Sequence, residues 1–83
     1  MKTLYVYTRP GCGSCIEAKN FLNQLKIPYT EINIDVDAVG LQFLQNQGDR
    51  YLPQFYVEGK KFMPGSWNTI RTMRQHEILD RLK

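Results

Sequence analysis

Residues 4–15 have the sequence LYVYTRPGCGSC, and this stretch decides the fold. Aliphatic and tyrosine side chains alternate within residues 3–8, which is the pattern of a β-strand. Residues 8–11, TRPG, then break the strand. Cys12 and Cys15 follow, three positions apart, at the junction between the strand and the next element. The strand pattern and the break after it therefore place the two thiols just beyond the end of the first strand.

The segment after Cys15 predicts a helix, because apolar side chains recur there at the spacing of one helix face. These side chains are Ala18, Phe21, Leu22 and Leu25. Pro28 ends the helix, and residues 29–34 predict a second strand with Ile32 and Ile34 on one side. Two strands joined by one helix are expected to run parallel, with a right-handed crossover.

A second helix is predicted over residues 37–47. Its apolar face would be formed by Val36, Val39 and Phe43, which are in register on one side. Gly40 lies inside the segment and lowers its helix propensity.

A hairpin is predicted in the second half of the chain, after a loop at residues 48–50. Residues 54–57 have the composition of a strand, residues 58–59 of a tight turn, and residues 61–63 of a short returning strand. The hairpin would add two strands to the two parallel ones.

A closing helix is indicated by apolar residues near the end of the chain, with Ser66 or Asn68 as its cap. These residues are Trp67, Ile70, Met73, Ile78 and Leu82, and their period slips around residues 74–76. The predicted fold is therefore α/β, a four-stranded mixed sheet with three helices in the order β-α-β-α-β-β-α.

The composition is that of a globular protein, with 83 residues, 42% of them hydrophobic and 23% charged. We expect a single domain over residues 1–83. The net charge is +3 and the basic residues are scattered, so we expect no nucleic-acid partner. No apolar run approaches the roughly 20 residues of a membrane span. The first residues are too polar for a signal peptide, and we therefore expect a cytoplasmic protein. We also expect a monomer that binds no membrane.

The spacing of Cys12 and Cys15 suits thiol–disulfide exchange. Only a thiolate attacks a disulfide, and a helix N-terminus favours the thiolate. Cys12 would be the exposed nucleophile, and Cys15, one turn deeper, would resolve the mixed disulfide. Gly11 and Gly13 would let a substrate approach closely.

Two other interpretations of the cysteine pair are less well supported. A structural zinc site needs about four ligands, and the only other strong candidate, His76, is distant in sequence. A stabilising cross-link is disfavoured because the loop between Cys12 and Cys15 is very short. We therefore expect no metal site built from protein ligands alone, and a CxxC pair after the first strand of a βαβ unit indicates redox chemistry.

The chain resembles the glutaredoxin family along nearly its full length. The likeness rests on the order and spacing of residues 4–15, residues 27–35, residues 50–57 and Gly65. It implies a thioredoxin-like (glutaredoxin) fold and an enzyme that exchanges thiols and disulfides, with glutathione as co-substrate and no tightly bound cofactor. It also implies a cis peptide bond before Pro53, beside the thiols.

The resemblance implies a glutathione site as well. The backbone of Leu52 would pair with the cysteine of glutathione, Arg9 and Arg50 would hold one carboxylate, and amides of residues 65–68 would hold the other. Solvated charge is the alternative for the two arginines, and packing on the sheet is the alternative for Trp67. The residues assigned to glutathione are Arg9, Gly13, Ser14, Arg50, Leu52, Pro53, Gly65, Ser66, Trp67 and Asn68.

The chain departs from the family's usual sequence at several places. Gly13 and Ser14 replace the common Pro-Tyr pair between the cysteines. Pro64 removes a backbone donor before the closing helix, and residues 51–53, Tyr-Leu-Pro, replace Thr-Val-Pro. These changes weaken the interpretation of a glutathione site.

Two alternatives follow from these departures. One is a glutaredoxin-like redoxin that thioredoxin reductase reduces and that donates electrons to ribonucleotide reductase. The other is a carrier of a [2Fe-2S] cluster, bridged between two subunits by Cys12 thiolates and glutathione. Single-cysteine relatives specialised for clusters lack a residue like Cys15, so its presence favours disulfide exchange with protein disulfides as the partners.

Overall fold

The first strand lies at the centre of the fold, between the two strands that pair with it. A computed structural model describes all 83 residues, Met1–Lys83. The elements are β1 (Tyr5–Thr8), α1 (Gly13–Gln24), β2 (Thr30–Asn33), α2 (Ala38–Gln47), β3 (Gln54–Val57), β4 (Lys60–Lys61), α3 (Trp67–Ile70) and α4 (Gln75–Arg81). The sheet order is β2-β1-β3-β4, with β1 parallel to β2 and antiparallel to β3. The predicted four-stranded mixed sheet is confirmed.

The alternation along the strands divides the core between two faces of the sheet. On the α1 face, Leu4, Val6 and Phe55 pack against α1, α3 and α4 in a cluster of nine buried residues. On the α2 face, Tyr7 and Tyr56 belong to a smaller cluster of four buried residues. Because β1 and β2 are parallel, the loop carrying Cys12 lies at the same edge of the sheet as the loop that follows β2.

The second helix forms as predicted, but the predicted apolar face is wrong in part. Val36 and Val39 are each 82% exposed, whereas Gly40 and Leu44 are buried. An added Cβ on Gly40 would lie 2.5 Å from the Ile32 side chain, so the helix approaches the sheet through the residue that has no side chain. That close approach, rather than the spacing of the valines, sets which side of α2 faces inward.

The predicted closing helix is broken into α3 and α4, so the structure has four helices instead of three. The break lies at the slip in the apolar period, where Arg74 is extended and serves as the N-cap of α4. The side chain of Glu77 accepts a hydrogen bond from the Arg74 backbone N–H at 2.8 Å. The restart lets Ile70 in α3 and Ile78 in α4 both reach the core with 0% exposure.

The hairpin closes through a turn with positive φ at Glu58 and Gly59. Strand β4 is Lys60–Lys61, which is earlier and shorter than the predicted 61–63. Pairing continues one bond further, from the Phe62 N–H to the Phe55 carbonyl at 3.0 Å. None of the four helices has both the length and the apolar character required to cross a membrane.

Candidate active site

Cys12 is the N-cap residue of α1, where the loop after β1 enters the helix. Its backbone is extended (φ −90°, ψ 107°), and its Sγ accepts a hydrogen bond from the Cys15 backbone N–H at 3.2 Å. A sulfur at this position satisfies one of the unpaired amides of the first helical turn and faces the positive end of the helix dipole. Both effects favour the thiolate once the residue is reduced.

Cys12 and Cys15 are joined by a disulfide, with their Cα atoms 5.2 Å apart. The two sulfurs differ in accessibility, because Cys12 is half-buried at the loop whereas Cys15 is only 1% exposed. Cys15 follows Gly13 and Ser14, which form the exposed start of α1. An incoming thiolate or disulfide therefore reaches Cys12 and not Cys15.

The Leu52–Pro53 segment lies next to Cys12. Its peptide bond is cis, as the family likeness implied, and the Leu52 carbonyl oxygen lies 4.0 Å from Cys12 Sγ. Pro53 is buried, whereas Leu52 is half-buried. An extended peptide at this edge would thus meet the sulfur of Cys12 and the backbone of Leu52 together.

Two side chains hold this segment in place: Gln54, which the sequence did not single out, and Ser66, which was predicted as a cap and as a glutathione residue. Gln54 is 6% exposed, and its Nε2 donates to the Tyr51 carbonyl at 2.8 Å. Ser66 lies at the N-cap position of α3 but makes no capping hydrogen bond with its side chain. Its hydroxyl lies 3.4 Å from both the Pro53 carbonyl and Gln54 Oε1, which ties the start of α3 to the proline loop.

The two arginines expected to hold a carboxylate have different surroundings. Arg9 Nε donates to Asp35 Oδ1 at 2.8 Å, in an ion pair whose side chains are about half exposed. Arg50 is exposed and takes part in none of the four salt bridges of the structure. Arg9 therefore lies beside the cysteine loop with its charge already paired, and Arg50 lies beside Tyr51 with its charge open to solvent.

The loop before α3 uses most of its own amide donors. The N–H groups of Ser66, Asn68 and Thr69 donate to carbonyls inside this loop and the first turn, at 3.1 Å each. Gly65 has a φ of 82°, as such a tight loop requires. The expected anion site at residues 65–68 thus has fewer free donors than the sequence suggested.

Trp67 packs on the sheet. Its ring stacks on Phe55 with centroids 6.2 Å apart and meets Phe21 edge-on at 5.5 Å. The Arg71 guanidinium lies over the same ring, 5.8 Å from its centre. The packing interpretation of this residue accounts for its contacts.

A polar cluster behind Cys15 was missed from the sequence. Thr8 Oγ1 donates to Glu31 Oε2 at 2.6 Å, and Lys19 Nζ lies 2.9 Å from the same oxygen. The hydrogen bond from Thr8, followed by that from Lys19, lowers the pKa of Glu31 below its usual value. Two signals were available: Lys19 follows Cys15 by four residues, and Glu31 alternates with the inward-facing Ile32.

The site contains no group of three or more His, Cys, Asp or Glu side chains placed to hold a metal ion.

The chain is similar to known redox proteins in sequence and to solved structures in fold. The glutaredoxin family matches residues 4–62. "Glutaredoxin-2, mitochondrial" of Bos taurus is 26% identical over 78 residues, which cover 89% of this chain and 49% of the relative. The chain thus spans about half the length of that relative.

Two solved structures share the fold. A buckwheat glutaredoxin–glutathione complex matches with a TM-score of 0.72 at 24% identity, over 98% of this chain and 76% of that one. The glutaredoxin-like protein NrdH-redoxin from Escherichia coli, described as having a thioredoxin-like activity profile, matches with a TM-score of 0.71 at 22% identity, over 87% and 95%. The architecture is the thioredoxin-like α/β fold, with its helices in the glutaredoxin order.

Proposed function

The chain belongs to the glutaredoxin family, and we propose that it reduces protein disulfides and glutathione-mixed disulfides through Cys12 and Cys15, with glutathione as the electron donor. One observation carries this proposal. Cys12 Sγ lies at the N-cap of α1 and accepts the Cys15 N–H, at an accessible point 4.0 Å from the Leu52 carbonyl. This is the placement that an attacking thiolate needs.

The reaction begins with the reduced protein. The Cys12 thiolate attacks one sulfur of the substrate disulfide, so that a Cys12–substrate bond forms and the first substrate thiolate leaves. Cys15 then attacks Cys12 Sγ, the Cys12–Cys15 bond forms, and the second substrate thiolate leaves. The protein has been oxidised by two electrons and the substrate disulfide has been reduced. Two glutathione molecules restore the dithiol and become glutathione disulfide.

Substrate placement is the second part of the proposal. An extended cysteine-containing peptide would pair with the Leu52 backbone as an added strand, which brings its sulfur to Cys12. Arg50, whose charge is unpaired, would attract a glutathione carboxylate, and Arg9 would do so when it exchanges Asp35 for the ligand. Gly13 and Ser14 at the exposed helix start, and residues 65–68, would form the walls of this site.

The first test uses single cysteine variants in an assay with glutathione, its reductase and NADPH. Cys12→Ser should lose at least about a hundredfold in rate on every disulfide, because the attacking sulfur is gone. Cys15→Ser should retain activity on glutathione-mixed disulfides, which a second glutathione can release, and should lose most of its activity on protein disulfides. Ordinary activity of Cys12→Ser would contradict the proposal.

A second electron donor, thioredoxin reductase, is favoured by two observations on the glutathione site. Arg9 is paired with Asp35 at 2.8 Å. The backbone N–H groups of Ser66, Asn68 and Thr69 already donate to carbonyls of their own loop and first helical turn. Both features leave fewer free positive charges and hydrogen-bond donors for the two carboxylates of glutathione. On this alternative the protein is reduced directly by the flavoenzyme and passes electrons to a protein disulfide such as that of ribonucleotide reductase.

A comparison of two recycling systems distinguishes the donors. Oxidised protein is incubated with NADPH and either glutathione plus glutathione reductase or thioredoxin reductase alone, and NADPH consumption is followed. The proposal expects rapid turnover in the first arm. Turnover only in the second arm would replace glutathione by thioredoxin reductase while leaving the roles of Cys12 and Cys15 unchanged.

A further inference from the structure

Tyr51 is the most exposed aromatic side chain of the molecule, at 83%, and it directly precedes Leu52. The Leu52 carbonyl oxygen lies 4.0 Å from Cys12 Sγ, so Tyr51 is one residue away from the backbone group that faces the attacking sulfur. Tyr51 takes part in none of the aromatic pairs of the structure and belongs to neither core cluster. No role described so far uses this side chain.

The backbone on both sides of Tyr51 is fixed. Two residues before it, the Asp49 carboxylate accepts from the Tyr56 hydroxyl and pairs with Lys61 at 2.9 Å. The carbonyl of Tyr51 itself accepts from Nε2 of the buried Gln54 at 2.8 Å. The ring is therefore presented to solvent from a backbone that is held in place, and contact with a ligand orders only the two χ angles of the side chain.

The residues assigned to the substrate site present no other free aromatic ring. Gly13 has no side chain and Ser14 has only a hydroxyl group, both at the exposed start of α1. The ring of Trp67 is engaged in stacking on Phe55. An aromatic contact with the substrate therefore has to come from Tyr51.

A peptide that is added as a strand along Leu52 brings its neighbouring residues to Tyr51. With the reacting cysteine opposite Leu52, the residue opposite Tyr51 is the one that precedes or follows that cysteine, according to the direction of the added strand. Residues directly opposite have Cβ atoms about 4.5–5.5 Å apart, and diagonal neighbours at about 7–8 Å are within reach of an aromatic ring. The Tyr51 ring can therefore contact a side chain that flanks the cysteine.

We propose that Tyr51 is a specificity-determining residue that favours protein disulfides in which an apolar side chain flanks the reacting cysteine. The inference rests on the proposed function, whose reaction steps it leaves unchanged. Contact between the ring and an apolar side chain removes both surfaces from water, and such cross-strand pairs stabilise strand addition. Glutathione offers no such contact, because its cysteine is flanked by glycine and by a γ-linked glutamyl group with charged ends.

A pair of blocked peptides tests this preference. Each carries one cysteine and is used as a disulfide-linked dimer, with valine on both sides of the cysteine in one peptide and glycine in the other, so that the direction of the added strand does not matter. Reduced protein is mixed with excess peptide disulfide, samples are quenched with acid, and the released peptide thiol is measured by chromatography. No electron donor is present, so the result does not depend on how the protein is recycled.

The quantity compared is the ratio of the rates with the valine and glycine peptides, in which any difference in their intrinsic reactivity cancels between protein variants. This ratio should be about fivefold lower in Tyr51→Ala than in the wild type at low peptide concentration. The loss should lie in the peptide concentration that gives half the limiting rate and not in the limiting rate itself, since the contact forms before the sulfur attacks.

Two further variants serve as controls. Tyr51→Phe keeps the ring and should keep the wild-type ratio. Val39→Ala removes an apolar side chain of nearly equal exposure, 82%, from α2 and should also keep it.

A Tyr51→Ala ratio equal to that of the wild type would overturn the inference, while reduction of both peptides through Cys12 would leave the proposed function intact. An equal loss in Val39→Ala would overturn it as well, since the effect would not be specific to this position. So would a loss in Tyr51→Phe, which would assign the preference to the hydroxyl group. If reduced wild-type protein released thiol from neither peptide, the proposed function itself would be contradicted.

Discussion

Three helices cover the α1 face of the sheet, whereas α2 alone covers the α2 face. The α1 face holds nine buried residues in one cluster, and Cys15 belongs to a helix whose inward residues, Ala18 and Leu22, lie in that cluster. The α2 face holds four, with an aromatic group in which Phe43 stacks on Tyr7 at 5.5 Å and meets Tyr56 edge-on at 4.9 Å. The disulfide is thus mounted on the more extensively packed side of the molecule.

The two faces therefore support different parts of the active site. The position of Cys12 at the start of α1 depends on how α1 is anchored, and that anchoring comes from the larger cluster. The α2 face contributes to stability and holds the Leu52 side of the site, since Leu52 packs at its edge. Damage to the α1 face should therefore cost more, both in stability and in the chemistry of Cys15.

Leu22→Ala is expected to have the largest effect. Leu22 is 0% exposed in the centre of the α1 face, so the truncation should lower the free energy of unfolding by about 3 kcal/mol. Chemical denaturation followed by circular dichroism measures it. Ile16→Ala is the control, because Ile16 lies on the same helix with 53% exposure and should change stability by under about 0.5 kcal/mol. Equal losses in the two variants would contradict the central role of the larger cluster.

Gly40→Ala tests the α2 face with a smaller change. The added Cβ would lie 2.5 Å from Ile32 Cγ2, and the resulting overpacking should outweigh the gain in helix propensity. We expect a net loss of about 1–2 kcal/mol in the free energy of unfolding, with the rate of disulfide reduction through Cys12 and Cys15 unchanged. Val39→Ala, at a position 82% exposed, should be nearly neutral. A stabilised Gly40→Ala would show that α2 has room to shift.

The contrast between the faces also explains what the sequence could predict. The strand, the break and the helix that place Cys12 are encoded by residues close together in the chain, so local patterns were sufficient. The inward side of α2 depends on Gly40 meeting Ile32, and in such a contact the absence of a side chain is the decisive property. A search for apolar spacing therefore selected Val36 and Val39, which are exposed.

Two other features depended on contacts between distant segments. The break between α3 and α4 was visible as a slip in the apolar period. Its exact place depends on Arg74, the N-cap of α4, whose backbone N–H donates to the Glu77 side chain. The cluster behind Cys15 joins Thr8, Lys19 and Glu31 from three elements, and none of these residues forms a motif with the cysteines in the sequence. The register of β1 with β2 was needed to bring them together.

The smallest expected effect concerns Tyr56, whose hydroxyl donates to Asp49 beneath the α2 face, where Lys61 pairs with the same carboxylate at 2.9 Å. Burial, the hydrogen bond to Asp49 and the charge of that carboxylate raise the pKa of Tyr56 well above its ordinary value. Because this pKa is higher in the folded protein than in the unfolded chain, the Tyr56 hydroxyl contributes to the free energy of unfolding in full below the unfolded pKa of about 10. That contribution is lost as the pH rises above this value. The contribution of the α2 face to the free energy of unfolding should therefore decrease above about pH 10.

Tyr56→Phe should cost about 1 kcal/mol in the free energy of unfolding at neutral pH, through loss of one hydrogen bond. Its stability should then fall less steeply than that of the wild type above pH 10 or so, although burial also raises the pKa of Tyr7 and preserves part of the slope. Denaturation midpoints at neutral and alkaline pH measure both effects. Parallel stability curves would mean that Tyr56 ionises as freely in the folded protein as in the unfolded chain. The aromatic cluster would then be as open to water as the exposed side of α2, and the comparison between the faces would rest on the larger cluster alone.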